Sequence, residues 1–402
     1  MSQPSEEINN YKDVNRDELL DRAESLVPFL LSKSGETEKS RCLNNEVKKI
    51  LQDNNLFRLM QPKRYGGLEL DHLLLVDIGA ILAQGCPSTS WVYSNLAIHS
   101  SMLGYFDDNA QNDVWDRCGN SLICMSVIYP AGRALKVDGG YKLSGKWPFC
   151  SGIDDSQWNI VGAIVENEDI PQEKKRLFLV PKNDYKIIDT WDSMGLTGTG
   201  SHHVVVDDKF IPNYRTLSEL MTRSGDSPGS KVNTNPLFRL PMQSISSTVM
   251  AGVGLGTARG ALNYFINETR NRISTYSGQN SAGLQNVQIC ISDSSARIDM
   301  AELILKNNVK HAIEQIYKGV LPSEGTKVRW RRDCAFAISS CCDAVNMLFT
   351  ASGGSALYNS NPMSRYFRDM QAITSHIAYN TQASGAIYGS NILGLKDDNL
   401  DF

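Results

Sequence analysis

Residues Gly145–Asp154 read GKWPFCSGID, a strand-like run that carries Trp147 and Phe149 and ends in Ser151-Gly152, a common turn pair. The run stands in the middle third of the chain, whose texture is that of strands. From about Leu122 short stretches of period two or of continuous β-branched character follow one another: Tyr141–Lys146, Trp158–Val165, Arg176–Val180, Tyr185–Ile188 and His202–Val206, separated by Gly, Asp and Asn. Asp207–Pro212, DDKFIP, reads as the exit from the last strand. On the N-terminal side apolar residues recur at helical spacing, from Leu19, Ala23, Leu26 and Leu30 to Val47, Ile50 and Leu51, which predicts two helices between Asp17 and about Phe57. Leu73–Leu82 and Trp91–Tyr105 predict two more, the first so apolar that it belongs in the interior. On the C-terminal side Leu217 to about Pro236 reads as a long loop. The helical period then returns over Ser244–Arg270, Val287–Tyr317, Lys327–Ala351 and Met363–Leu393, segments long enough to pair as an antiparallel bundle. The expected division is an N-terminal helical domain at 1–121, a central β-barrel domain at 122–235 and a C-terminal four-helix bundle at 236–402, an α+β chain.

Composition narrows the function. The 402 residues are 41% hydrophobic and 21% charged with a net charge of -4, so the chain can bury a large core and has no basic field of the kind nucleic-acid binding draws on. The polar, acidic start MSQPSEEINNYKDVNRDELL shows no secretory signal, and no uninterrupted apolar run approaches the length of a membrane span. A cytoplasmic protein is expected. The nine cysteines show no C-x-x-C pair and no histidines at ligand spacing, so no metal site is expected.

Four local patterns occur in order: QPKRYGG at Gln61–Gly67, GGYKLSGKWPFCSGID at Gly139–Asp154, WDSMGLTGTGSHHVVVDDKFIP at Trp191–Pro212, and ASGGSALYNSNPMSRYFRDM at Ala351–Met370. With the helix, β, helix layout they resemble the acyl-CoA dehydrogenase superfamily over nearly the entire chain. Three details are most similar to its two-component, flavin-dependent monooxygenases, the group D hydroxylases of phenols and related aromatics. These are the GTGS turn at Gly198–Ser201, the P-F-x-S-G form of the flavin-contacting strand, and His376 within RDMQAITSHIAYN at Arg368–Asn380. The aromatic-Glu-Gly-Thr segment of the dehydrogenases falls on His376-Ile377-Ala378-Tyr379, where there is no acid.

The resemblance implies roles for particular residues. Ser151 falls near the flavin N5, where a hydroxyl that donates or accepts can hold the C4a-hydroperoxyflavin; a plain turn serine is the other reading. His376 falls beside the flavin as a general base toward a phenol, or else as a structural histidine capping a helix. His99, on the helix of Trp91–Phe106, is a candidate to orient the substrate or else a core histidine satisfied by a backbone carbonyl. Trp147 is a candidate flavin contact or core aromatic, and Arg270 and Arg272 are candidates for the flavin phosphate across a subunit interface. His202 and His203 are adjacent on a strand and point to opposite faces, so they cannot form one site together.

No G-x-G-x-x-G follows a strand and no P-loop is present, so the chain has no evident nicotinamide site. The resemblance therefore implies reduced flavin, FMNH2 or FADH2, supplied by a separate reductase, with O2 as co-substrate, an aromatic substrate and a homotetramer. N- or S-oxygenation by the same flavin chemistry, a true acyl-CoA dehydrogenase and a non-catalytic assembly partner stay open at this level.

Overall fold

Helix α1 (Arg16–Ser40) begins where the Asn15 side chain accepts the Glu18 amide, and α2 (Asn45–Asp53) begins in the same way at Asn44. Helix α3 (His72–Gly85) is capped by Asp71 and buries most of its length between α1 and a long C-terminal helix, α7 (Gln243–Arg270). Helix α4 (Pro87–Leu103) opens with proline at its first turn, a position where a missing N–H costs nothing, and is buried along nearly all of its surface. A short α5 (Asp108–Trp115), unread in the sequence, closes this part. These elements belong to a computed structural model that describes residues 15–116, 118–273 and 278–395.

The middle third forms one sheet of eight strands among the described residues: β1 (Ile123–Ser126), β2 (Gly132–Val137), β3 (Gly140–Cys150), β4 (Trp158–Val165), β5 (Lys175–Pro181), β6 (Lys186–Ile188), β7 (His202–Pro212) and β8 (Thr216–Ser218). Their order is β6-β7-β3-β2-β4-β5-β8, with β1 added in parallel to β4, and the end strands β6 and β8 are not paired with each other. The segment Asp207–Pro212 is not an exit but the second half of β7, paired with β3 from Gly140↔Pro212 onward. That ladder slips between Trp147 and Cys150, where Phe149 takes a φ of 61°, and resumes at Cys150↔His202. The slip delivers Ser151 beside the start of β7.

Part of the predicted loop after Leu217 is ordered as α6 (Glu219–Ser224). Helices α7, α8 (Gln285–Tyr317) and α9 (Glu324–Ser352) pack on one another, and the predicted segment Met363–Leu393 is two helices, α10 (Pro362–Thr374) and α11 (Thr381–Ile392), broken at residues 375–380. Helix α9 is long and apolar enough to cross a membrane by length and composition, yet half of that stretch is buried against its neighbours, as in a core helix. One hydrophobic core runs from Leu19 and Leu30 through Val249 to Val309 and Trp330, so the two helical parts are held together by shared burial, and a second, with Leu255, Ile338 and Met370, fills the C-terminal helices. A separate core inside the sheet contains Trp147, Val161 and Phe178.

Candidate active site

Where β3 ends, the Gly152 amide donates to the Thr199 carbonyl at 3.0 Å, joining the Ser-Gly turn to the GTGS turn. The side chains continue the link. Ser151 Oγ lies 2.7 Å from Ser201 Oγ, Ser201 Oγ lies 2.7 Å from Thr199 Oγ1, and Thr199 Oγ1 donates to the Leu196 carbonyl at 2.8 Å. From helix α4, the Trp91 indole N–H donates to Ser151 Oγ at 3.1 Å. Gly200 holds a φ of 52°, and a Cβ there would stand 2.9 Å from an Asp154 carboxylate oxygen, so this turn needs glycine.

Helix α10 anchors the same turn. The Leu196 amide donates to Asp369 Oδ1 at 2.6 Å, and a Cβ on Gly195 would meet the Arg368 carbonyl at 2.0 Å, which only glycine avoids. Burial, opposed by the Leu196 amide, pushes the Asp369 carboxyl up to about 7. Arg365 and Arg368 both pair with Glu38 of α1, tying this end of α10 to the N-terminal helices.

Past α10 the chain breaks, and His376 caps the short turn Ile377–Tyr379 with its Nδ1 accepting the Ala378 amide at 3.2 Å. Its ring stands edge-on to Trp91 with centroids 5.7 Å apart and tilts against Tyr379 at 5.6 Å, while part of its surface stays open. Surrounding protein lowers its pKa by desolvation, which favours the neutral ring. A neutral ring whose Nδ1 accepts must carry its proton on Nε2. Nδ1 is thus engaged inside the protein, and Nε2 is the ring nitrogen left for a ligand.

Phe149, 63% exposed, and Trp191 stand edge to face with centroids 6.3 Å apart beside Ser151, so aromatic rings rim the opening next to the serine. An exposed phenylalanine held at positive φ is strained backbone next to a polar turn, a combination common at ligand sites.

The C-terminal residues 248–381 match the family model of the acyl-CoA dehydrogenase C-terminal domain. The oxygenase subunit HsaA of a flavin-dependent monooxygenase from Rhodococcus jostii is 32% identical over 377 residues, 94% of this chain and 98% of that protein. The chain belongs to the flavin-dependent monooxygenase oxygenase components. The oxygenase component of an FADH2-dependent resorcinol hydroxylase from a Rhizobium species is 33% identical over 392 residues, 94% of each chain. The solved structure of XiaF from Streptomyces in complex with FADH2 and glycerol superposes on the oxygenase with a TM-score of 0.87 at 27% identity, covering 95% of this chain and 96% of that one.

The residues present in the oxygenase fit a flavin. Phe149 presents an exposed aromatic ring, paired edge to face with Trp191, and the half-buried Ser151 Oγ, in contact with the Trp91 N–H and the Ser201 hydroxyl, has one hydrogen-bonding position left for a ligand.

Not every residue named from the sequence comes to this place. Trp147 lies wholly inside the sheet core of the oxygenase, its indole N–H donating to the Gly162 carbonyl at 2.7 Å, so it is a packing residue and not a flavin contact. His99 is buried, with Nδ1 2.9 Å from the Ile123 carbonyl, and burial lowers its pKa to about 4. That is the core-histidine arrangement. His202 is turned behind Ser201, where its Nδ1 accepts the Thr190 and Trp191 amides and so holds the loop that carries Trp191. Arg270 and Arg272 sit at the end of α7, with Arg272 beside Gly353, away from the turn that holds Ser151. Trp91, Thr199 and Ser201 were not singled out from the sequence. Thr199 and Ser201 lay within the GTGS motif already noted, and Trp91 lay on the helix already assigned to the pocket, but the pattern gave no sign of which side chain faces the serine.

Proposed function

We propose that this oxygenase uses reduced flavin from a separate reductase to hydroxylate a phenolic or related aromatic small molecule at the opening between Ser151 and His376. The observation that carries the reading is Trp91, which donates to Ser151 and faces the His376 ring, bringing the flavin strand and the C-terminal break into one site. Reduced flavin, when bound, supplies the electrons that activate O2 for transfer of one oxygen atom. Ser151 offers its free lone pair to the flavin. Trp91 holds Ser151 in place, and its ring closes the wall between Ser151 and His376. The His376 Nε2–H donates to the substrate's phenolic oxygen, favours its ionised form and so raises electron density on the ring carbon to be oxygenated. Phe149 and Trp191 shield the opening from water.

The relatives' printed names support the substrate class: a resorcinol hydroxylase and a p-hydroxyphenylacetate 3-hydroxylase both act on phenols. The division at 121/122 is supported by the change from helices to sheet there, and that at 235/236 falls between α6 and α7, after the last strand has ended at Ser218; a cytoplasmic site would supply the reductase with nicotinamide. A homotetramer joined through the C-terminal helices is supported by exposed apolar residues there: Met300 and Leu303 on α8, Phe336 on α9 and Ile392 on α11. In that assembly Arg272 reaches a neighbouring copy's flavin phosphate.

The test is turnover under 18O2 with a flavin reductase, NADH, FMN or FAD and a panel of phenols, amines and sulfides. A phenol product carrying one 18O atom is expected. Labelled amine or sulfide products alone would move the oxygenase to N- or S-oxygenation. Flavin bleaching by an acyl-CoA with no labelled product would overturn the reading.

A further inference from the structure

The contacts behind Ser151 favour one order of hydroxyl protons, set by the carbonyl at its far end. A carbonyl cannot donate, so at their 2.8 Å contact Thr199 Oγ1 is the donor to the Leu196 carbonyl, which also accepts the Thr199 amide at 3.1 Å and the Trp191 indole N–H at 3.0 Å. At 2.7 Å, Ser201 must then be the donor to Thr199, and the Ser201 proton is used. Ser151, 2.7 Å from Ser201, is left to donate in turn, and its own proton points back into the protein. The Trp91 N–H, which can only donate, occupies one Ser151 lone pair. Thr199 and Ser201 are buried at 1% and 3% exposure, so water cannot reset the order from behind. With the protons in this order Ser151 presents one lone pair, and no hydrogen, on its outer side.

We infer that Thr199 and Ser201 are positioning residues that make Ser151 an obligate acceptor, so that the site selects the redox state of its flavin. Reduced isoalloxazine carries a hydrogen on N5 and can donate to that lone pair, whereas oxidised N5 is itself an acceptor and faces it lone pair to lone pair. This rests on the flavin reading above and adds the device that sets its redox preference. The anchor of the relay lies outside the site: Asp369 accepts the amide of Leu196, the residue whose carbonyl takes the first proton.

The test is an anaerobic titration of the full-length protein with reduced and with oxidised FMN and FAD, read as the ratio of the two Kd values by fluorescence and absorbance, with circular dichroism checking the fold. The wild-type chain should prefer reduced flavin by at least about tenfold. Thr199→Val frees the Ser201 proton to turn toward Ser151, and Ser201→Ala frees the Ser151 proton to turn into the opening. Both should lower the ratio about threefold to tenfold, chiefly by tightening oxidised-flavin binding, and Thr199→Ser should restore it. Ser151→Ala should lose the preference by weakening reduced-flavin binding. A ratio unmoved in both Thr199→Val and Ser201→Ala, with flavin still bound, overturns the relay alone. Failure of the wild-type chain to bind either redox form overturns the monooxygenase reading and the relay with it.

Discussion

The Leu196 amide and the Asp369 carboxylate meet at 2.6 Å across 173 positions of chain, joining the turn that orders Ser201 to the helix that ends just before His376. One hydrogen bond thereby ties the sheet side of the site to its bundle side. Asp369 Oδ2 is buried without a partner, so the charge on this group is costly and its titration should be visible in stability.

Asp369→Asn keeps an acceptor for Leu196 and removes that titration. In the folded chain Asp369 titrates at about 7, against 3.8 when solvated, because burial disfavours its charged form. Between those values the folded protein holds a proton that the unfolded chain has released. The contribution to stability is therefore full below about pH 4 and is lost as pH rises through 7. Thermal unfolding of the two proteins should coincide near pH 4 and diverge in favour of the asparagine variant by on the order of a few kcal/mol at pH 8. Parallel curves across that range would show that Asp369 is ionised throughout.

His376→Ala should lower kcat/KM for a phenol by about 10- to 100-fold, the range of one hydrogen bond to a charged oxygen. Desolvation lowers its pKa, so the wild-type profile should be level above the ordinary histidine range and fall only further into acid, where protonation of Nδ1 ejects the Ala378 amide. A profile that instead falls through pH 7 would return His376 to the role of base. Oxidation of an amine by the same variant, where no phenolic oxygen needs the donor, should change little.

Trp91→Phe keeps a ring against His376 and deletes the N–H that holds Ser151. Product formed per NADH consumed should drop about threefold to tenfold, with peroxide accounting for the difference. Unchanged coupling would mean that the 3.1 Å contact to Ser151 has no part in turnover.

Leu303 on α8 is 72% exposed and stands three residues from Met300, 58% exposed, so the two share one apolar face of the helix. Light scattering should give a mass of four times 44.5 kDa, and Leu303→Glu should reduce it. If Arg272 serves a neighbouring copy, Arg272→Ala and the dissociated Leu303→Glu protein should both bind flavin about tenfold more weakly. A wild-type monomer that binds flavin fully would end that proposal.

Much of the architecture was legible because periodicity is local. Trp158–Val165 was read as a strand to the residue, and the helices of the first and last thirds lie within a few positions of their apolar repeats. The misreadings come from long-range contacts. Asp207–Pro212 looks like an exit because its charges break the alternation, yet pairing with Gly140–Leu143 keeps it in the sheet. Met363–Leu393 looks continuous because both halves have helical composition, and the chain breaks where the His376 side chain caps a new turn.

The sequence by itself determined the layering, the family and the two motifs on which the site is built, since these depend on residue type and order along the chain. Only the tertiary structure decided what the side chains do there. Trp147 and Trp91 are equally aromatic in the sequence; one is spent on the Gly162 carbonyl inside the sheet and the other reaches Ser151. The proton positions on His376 and Ser151 follow from which donors and acceptors surround them at hydrogen-bond distance. A hydroxyl or an imidazole takes its direction from its neighbours in space, and the Leu196 peptide, Trp91 and Thr199 become neighbours of one another only on folding.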